Sequence, residues 1–309
     1  MAMTLLEASK RASGDVKRQA VIEMFAEASA LVNALVWDDI PGGSLTYNFE
    51  GELPGVAFRG FNEGYDESVG VINPQTEVLK IAGGDLDVDK ALIKTRGPAI
   101  RTTEEAAKVK ALAMHIADRM INGDSSSNVR EFDGLRRRVT GGQLFGPLAA
   151  NNTGNGPLSL EKLDAAIDAV DSPTHLIMSK AMRRKLTKAA RSNLGGDITY
   201  TTDNWGRQVT VYNDLPILIA DYNDRGQNII DFNEAGPAGG STCTSIYVVS
   251  IGPNRVLGIQ NGTIEVEDLG EIDEKPVLRT RVEWLVGMAV MHGRSVARIW
   301  GITNADVTV

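Results

Sequence analysis

Apolar residues recur at helical spacing in some stretches of this chain and at alternating positions in others. Between residues 14 and 36, Val21, Met24, Phe25, Ala28, Leu31, Val32 and Leu35 share one face, with Lys17, Arg18 and Glu23 off it. This predicts an amphipathic helix that packs on its own core or on a neighbour. Residues 102–124 give the clearest helical pattern, with Val109, Leu112, Ala113, Ile116 and Met120 as its stripe. Thr102 and Glu105 have the spacing of a capping box, Glu104 and Lys108 form an i,i+4 pair, and Gly123 is the expected stop. Residues 158–191 read as helix, strand, helix. Ser159 precedes the inward Leu160, Leu163, Ile167 and Val170, His175 to Met178 is a short apolar strand, and Ser179 opens a helix through Arg191.

Strand patterns fill the rest. Leu45, Tyr47 and Phe49 alternate with Thr46, Asn48 and Glu50. Turns are expected at 51–55 and at Asn73-Pro74. Phe58, Phe61 and Tyr65 stand among Gly55, Gly60 and Gly64, a stretch too polar and glycine-rich for a core. It reads as a long projecting hairpin whose edges need cover. Later strands are expected at Val209 to Tyr212, Ile217 to Ile219, Ile246 to Val249, and around Ile264 and Val266. One long strand follows: Thr280, Val282, Trp284, Val286, Met288 and Val290 on one face, Arg279, Arg281 and Glu283 on the other. Thr140–Pro157 and Asp221–Ser241 are the expected loops.

With 309 residues the chain has room for about two domains or one large one. A net charge of −8 argues against wholesale coating of nucleic acid and leaves room for a local basic patch. The single Cys243 excludes an intrachain disulfide framework and any multi-cysteine metal site. His115, His175 and His292 leave little for a histidine metal cage. The longest apolar stretch, Trp284 to Met291, falls far short of the roughly 20 residues that span a bilayer. With no signal-like start, a soluble protein made in a cytoplasm is expected, without membrane contact.

Few residues of the chain stand in a recognisable chemical motif. Asp85, Asp87 and Asp89 begin like a calcium loop, but Lys90 stands where that loop needs glycine and Arg96 where it needs glutamate. At period 2 they form a solvated strand face opposite Leu86 and Val88. The run Glu265, Glu267, Asp268, Glu271, Asp273, Glu274 reads as an exposed strand face and a loop. Gly154-Asn155-Gly156 lacks the strand and third glycine of a phosphate loop. Cys243 reads as a buried small residue. No nucleophile elbow is present. Two basic clusters stand out: Lys180, Arg183, Arg184, Lys185, Lys188 and Arg191 on one helix, and Arg136, Arg137 and Arg138. They face either a polyanion or their own acidic neighbours. No catalytic, cofactor or metal site is therefore assigned, and a structural protein is expected rather than an enzyme.

The C-terminal half carries a resemblance. Thr244 to Val249, Gly252, Gly258, Asp268-Leu269-Gly270, Arg281 to Gly287 and Ala297-Arg298 resemble the closing stretch of tailed-phage major capsid proteins. Phe132-Asp133-Gly134-Leu135 resembles the segment after that family's spine helix. Leu160 to Val170, Ser179 to Leu186 and Leu215-Pro216-Ile217 fit its axial domain, and strands over Asp85 to Lys94 its peripheral domain.

The resemblance implies an α+β Hong Kong 97 fold, shared by phage capsids and encapsulin shells. It maps an N-terminal arm to 1–38 and an extended loop to 39–80. It maps a peripheral domain with the spine helix to 81–139 and 262–290, and an axial domain to 140–261 and 291–309. The implied function is an icosahedral head shell around double-stranded DNA, with an encapsulin-like cargo compartment as the alternative. Implied partners are other copies in pentamers and hexamers, a portal, packaged DNA through weak nonspecific contacts, and a separate scaffolding protein if any, since the arm helix begins near residue 14. The expected location is the virion, assembled in the host cytoplasm. Candidate intersubunit contacts are Glu50, Glu52, Phe58, Arg59, Phe61 and Tyr65. The candidate interior basic face is Lys180, Arg183, Arg184, Lys188 and Arg191. The founding member joins an extended-loop lysine to a neighbour's asparagine. Here Arg59 is the only basic residue from Asp38 to Leu79, so a shell without cross-links is expected.

Overall fold

The computed structural model describes residues 29–52, 54–65, 67, 71–148, 153–191, 198–202, 208–273 and 275–308. Its strands are β1 (Trp37–Asp39), β2 (Ser44–Glu52), β3 (Val71–Val78), β4 (Lys80–Asp89), β5 (Leu144–Phe145), β6 (His175–Met178), β7 (Ile198–Thr202), β8 (Gln208–Tyr212), β9 (Leu215–Ile219), β10 (Thr244–Val249), β11 (Val256–Gln260), β12 (Glu265–Ile272), β13 (Lys275–Val290) and β14 (Val296–Ile302). The helices are α1 (Ala30–Ala34), α2 (Lys90–Arg96), α3 (Ala99–Asn122), α4 (Leu135–Arg138), α5 (Leu160–Asp168) and α6 (Lys180–Arg191).

The long strand β13 organises one sheet. One of its edges takes β4 antiparallel from Val277 to Val286. Its other edge takes β12 up to Glu283 and then β11 from Val286 onward. Val282, Trp284, Val286 and Met288 are buried on one face, as the alternation predicts, and pack in one core with Val109, Leu112, Ile116 and Met120 of α3. Two elements with one apolar face each solve the same burial problem by meeting.

The helix starts earlier than expected. Pro98 occupies its N-cap position with φ −66°, which suits a helix start, and Thr102 lies inside the helix rather than capping it. Glu105 is used elsewhere: it pairs with Arg101 at 3.1 Å and accepts a 2.8 Å hydrogen bond from the Thr280 hydroxyl. Gly123 does end the helix, and a Cβ there would run into the carbonyls of Phe132 and Arg119.

β6 and β10 sit inside a seven-stranded sheet ordered β5-β14-β10-β6-β9-β8-β7. Leu176, Met178, Ile246 and Val248 pack with Leu163 of α5 and with Met182 and Leu186 of α6. Their neighbours Ile177, Tyr247 and Val249 belong to the core beneath α3. Burial on both faces explains why these strands read as continuous apolar runs.

Three further expectations need correction. Asn73-Pro74 is no turn: Pro74 lies within β3, opposite Asn48. In a two-stranded ribbon both strands are edges, where a missing N–H is tolerated. The peripheral strand stops at Asp89 instead of running to Lys94, because the Asp89 carboxylate caps α2 by accepting from Ala91 N at 2.7 Å. Ser159 precedes α5 without a capping hydrogen bond, whereas the Ser179 hydroxyl accepts from Met182 N at 3.3 Å. Of the helix expected over 14–36, residues 14–28 lie outside the described residues. Leu31, Val32 and Leu35 are buried in the chain's own core.

Candidate assembly surfaces

β2 and β3 form an antiparallel ribbon that ends in a long tip. Leu45 and Tyr47 turn inward toward a small core of Ile40, Leu79, Leu257, Ile259 and Ala289. Beyond it, Phe58 and Phe61 are fully exposed at 106% and 103%. Arg59 donates to the Glu63 carbonyl at 3.1 Å and sits 5.3 Å above the Tyr65 ring, while Glu63 accepts from Gly60 N at 2.8 Å. The tip is thus shaped by its own polar contacts while its aromatic rings face outward. Such exposed apolar area marks an interaction surface. Glu50 and Glu52 stand on β2, in register with Ile72 and Val71.

The base of the ribbon is bolted to the body. Arg138 grips the Glu77 carboxylate with both terminal nitrogens, Nη2 at 2.8 Å from Oε2, and donates to the Met288 carbonyl at 3.0 Å. Tyr47 donates its hydroxyl to the Val290 carbonyl at 3.1 Å. Burial works against the charged Arg138, yet Glu77 outweighs it and holds the guanidinium above its ordinary value. Burial, with Glu77 nearby, pushes the Tyr47 phenol up.

On the solvent face of β13 the charges pair across strands. Arg281 reaches Asp85 at 2.7 and 3.0 Å, and Arg279 reaches Asp87 at 2.6 and 2.7 Å. These carboxylates are engaged by guanidinium forks. Among the described residues no group of three or more ligating side chains could hold a metal ion. In the acidic run, Glu265, Glu267 and Glu271 are exposed on β12, Asp268 pairs with Arg101 at 2.6 Å, and Glu274 lies outside the described residues.

The basic helix α6 divides. Lys180 pairs with Asp221, Lys188 with Asp306 at 2.7 Å, and Lys185 donates to the Ala305 carbonyl at 2.7 Å. Arg184 and Arg191 are exposed and Arg183 is half-buried. The second basic cluster is largely internal bracing: Arg138 grips Glu77, and Arg137 pairs with Asp124 and with Asp133 at 3.3 Å.

Sequence reasoning missed a buried ion pair. Arg298, 7% exposed at its side chain, reaches Glu234 at 2.7 Å, and both meet the Ser245 hydroxyl. This contact ties the long 221–243 segment to β14 and β10. An arginine inside the apolar run of β14 was the available signal. Cys243 is buried, as expected.

Residues 13–154 match the family model described as major capsid protein GP7. That stretch is just under half of the chain, and over it the chain is similar to major capsid proteins. No curated protein sequence matches this chain. Among solved structures it is similar to the holo-SrpI encapsulin complex from Synechococcus elongatus PCC 7942, at 16% identity and TM-score 0.67, over 91% of this chain and 89% of that one. It is also similar to Microbacterium phage Oxtober96, at 12% identity and TM-score 0.62, over 88% and 90%. A third likeness is the capsid of an empty GTA particle, at 14% identity and TM-score 0.58, over 88% and 89%. These likenesses show the Hong Kong 97 fold.

Proposed function

We propose that this chain is a major capsid protein whose copies close into an icosahedral phage head around double-stranded DNA, as pentamers and hexamers with a portal at one vertex. The observation that carries this reading is the ribbon: a rigidly anchored arm whose aromatic tip is fully exposed in the single chain. Burial of Phe58, Phe61 and Tyr65 against another copy, with Glu50, Glu52 and Arg59 beside them, supplies contact area that is multiplied over many subunits. The division into arm, extended loop, peripheral and axial domains rests on the resemblance; the core beneath α3 takes in Leu31 and Val32 of the arm and Ile177, Tyr247 and Val249 of the axial segment, so it spans those boundaries. No side chain is assigned a catalytic role. Assembly takes place in the host cytoplasm, with a separate scaffolding protein if one is used.

Lys180, Arg183, Arg184, Lys188 and Arg191 form the proposed DNA-facing surface. Lys180 and Lys188 are already paired within the chain, so Arg183, Arg184 and Arg191 carry most of the effect. Negative-stain microscopy of the purified protein tests the shell: regular hollow particles are expected, and soluble monomers refute it. Changing Arg184 and Arg191 to Glu should lower DNA retention in a salt-dependent way. A second reading, a compartment for protein cargo, draws on the likeness to the encapsulin complex. Co-purifying enzyme in place of DNA and a portal would favour it.

A further inference from the structure

We propose that Asn261 is a self-modification site: its side-chain amide is lost to attack by the Gly262 backbone nitrogen, and the product loosens the root of the ribbon. This is independent of the shell reading, since it takes place within one chain.

The sequence holds three Asn-Gly pairs, Asn122-Gly123, Asn155-Gly156 and Asn261-Gly262. Glycine after asparagine leaves the following nitrogen open to approach, because it carries no side chain. The fold ties down two of the three nitrogens. Gly123 N donates to the Arg119 carbonyl at 2.8 Å, and Gly156 N donates to the Gly301 carbonyl at 3.2 Å. Their asparagine side chains are held as well. Asn122 Nδ2 donates to Asp118 and to the Ile229 carbonyl, each at 2.8 Å. Asn155 donates to the Gly239 carbonyl at 2.6 Å and accepts from Ala238 N at 3.1 Å.

The third pair differs. Asn261 and Gly262 are both exposed, in the turn between β11 and β12. Gly262 has φ +74°, no atom lies within 4 Å of where its Cβ would stand, and among the described residues its N–H has no partner. The nucleophile is therefore free only here. Once the Gly262 N–H has passed its proton to hydroxide, the nitrogen attacks Asn261 Cγ. A C–N bond closes a five-membered imide, and ammonia leaves with a proton from water. A second water opens the ring at either carbonyl and leaves aspartate or isoaspartate. The net change is one water consumed and one ammonia released, with nothing oxidised or reduced.

The amide that is lost has a structural use. Ile40 N donates to the Gln260 carbonyl at 2.9 Å, and Asn261 Nδ2 continues that seam by donating to the Gly42 carbonyl at 3.0 Å. One residue on, the Gly43 carbonyl accepts from Leu79 N at 2.9 Å, where the two ribbon strands leave the body. A carboxylate at position 261 only accepts, so it faces the Gly42 carbonyl without a proton to share. Isoaspartate also lengthens the main chain by one carbon at this turn.

The test holds the folded full-length protein in mildly alkaline buffer made with heavy-oxygen water, digests it in ordinary water, and weighs the peptides. Heavy oxygen in a new carboxylate marks conversion within the folded chain. The Asn261 peptide is expected to convert at least tenfold faster than those of Asn122 and Asn155, and in urea the three rates should converge. Asn261→Asp, which installs the product, should be cut faster than wild type by protease within the ribbon. An Asn261 peptide that converts no faster than the other two, or that keeps its lead in urea, overturns the site. Conversion at Asn261 with unchanged ribbon cleavage in Asn261→Asp overturns its effect on the ribbon.

Discussion

Arg138 and Glu77, 61 positions apart in the chain, meet in a two-armed ion pair that fixes where the ribbon leaves the body. The pair is mostly buried, with side-chain exposures of 14% and 20%. Its Arg138 also holds the Met288 carbonyl, so the ribbon, α4 and β13 share one anchor. Removing one partner of such a pair leaves an uncompensated charge.

Arg138→Met should destabilise the unassembled subunit by about 2–3 kcal/mol in urea denaturation, less than a fully buried pair would lose. Adding Glu77→Gln should recover part of that loss, because the stranded carboxylate is then gone. The single variant should also be cut faster by protease within the ribbon. Equal cleavage of both chains would show that the anchor does not set the ribbon.

Trp37 is seated by a glycine. Its ring lies where a Gly258 side chain would stand, 4.6 Å from the Trp284 ring, and its indole donates to the Val32 carbonyl at 3.2 Å. Gly258→Ala should displace the ring and cost roughly 1–3 kcal/mol, and Trp37→Ala should cost roughly 3–5 kcal/mol. Thermal unfolding followed by tryptophan fluorescence reads both. An unchanged melting temperature in Gly258→Ala would contradict the packing.

Glu234 is 2% exposed at its side chain, with Arg298 as its cation. Arg298→Ala should cost about 3–5 kcal/mol, whereas Arg298→Met combined with Glu234→Leu should cost far less, since the charge is removed with its partner. Chemical denaturation of the three proteins distinguishes a buried pair from a decorative one. Similar losses in single and double variants would argue against the pairing.

Acid should weaken the subunit in two windows. Burial pushes the His175 imidazole below its ordinary 6.5, so the unfolded chain takes up that proton first and stability falls as pH drops below 6.5. The hydrogen bonds from Arg281 and Arg279 hold Asp85 and Asp87 below their ordinary 3.8. Their contribution is complete above that value and fades as pH falls through the lower folded values. His175→Gln should flatten the upper window, and Asp85→Asn with Asp87→Asn the lower. Melting temperature against pH checks each window separately, and an unaltered profile in either variant removes its assignment.

Assembled particles boiled in detergent should release one band at the subunit mass of 33.2 kDa. No lysine lies between Lys17 and Lys80, so the ribbon offers no amine to attack a neighbour's amide, and a guanidinium cannot substitute. A ladder of covalent rings would show that another lysine has taken that part.

Much of the fold was legible because it is periodic. The stripe from Val109 to Met120 and the alternation from Thr280 to Val290 each specify a face, and a face must be buried. The exposed aromatic tip was legible too, because Phe58, Phe61 and Tyr65 stand among glycines and charges that cannot form a core. The charged partners were not. Arg136, Arg137 and Arg138 are neighbours in sequence with one chemistry, yet Arg138 grips Glu77, Arg137 pairs with Asp124 and Asp133, and Arg136 is exposed. Periodicity records which side of an element avoids water, a local property of consecutive residues. Ion pairs across 61 or 64 positions, and the glycine that admits Trp37, depend on which elements become neighbours. Only the folded chain decides that, because the energy of such a contact exists only once the elements have met.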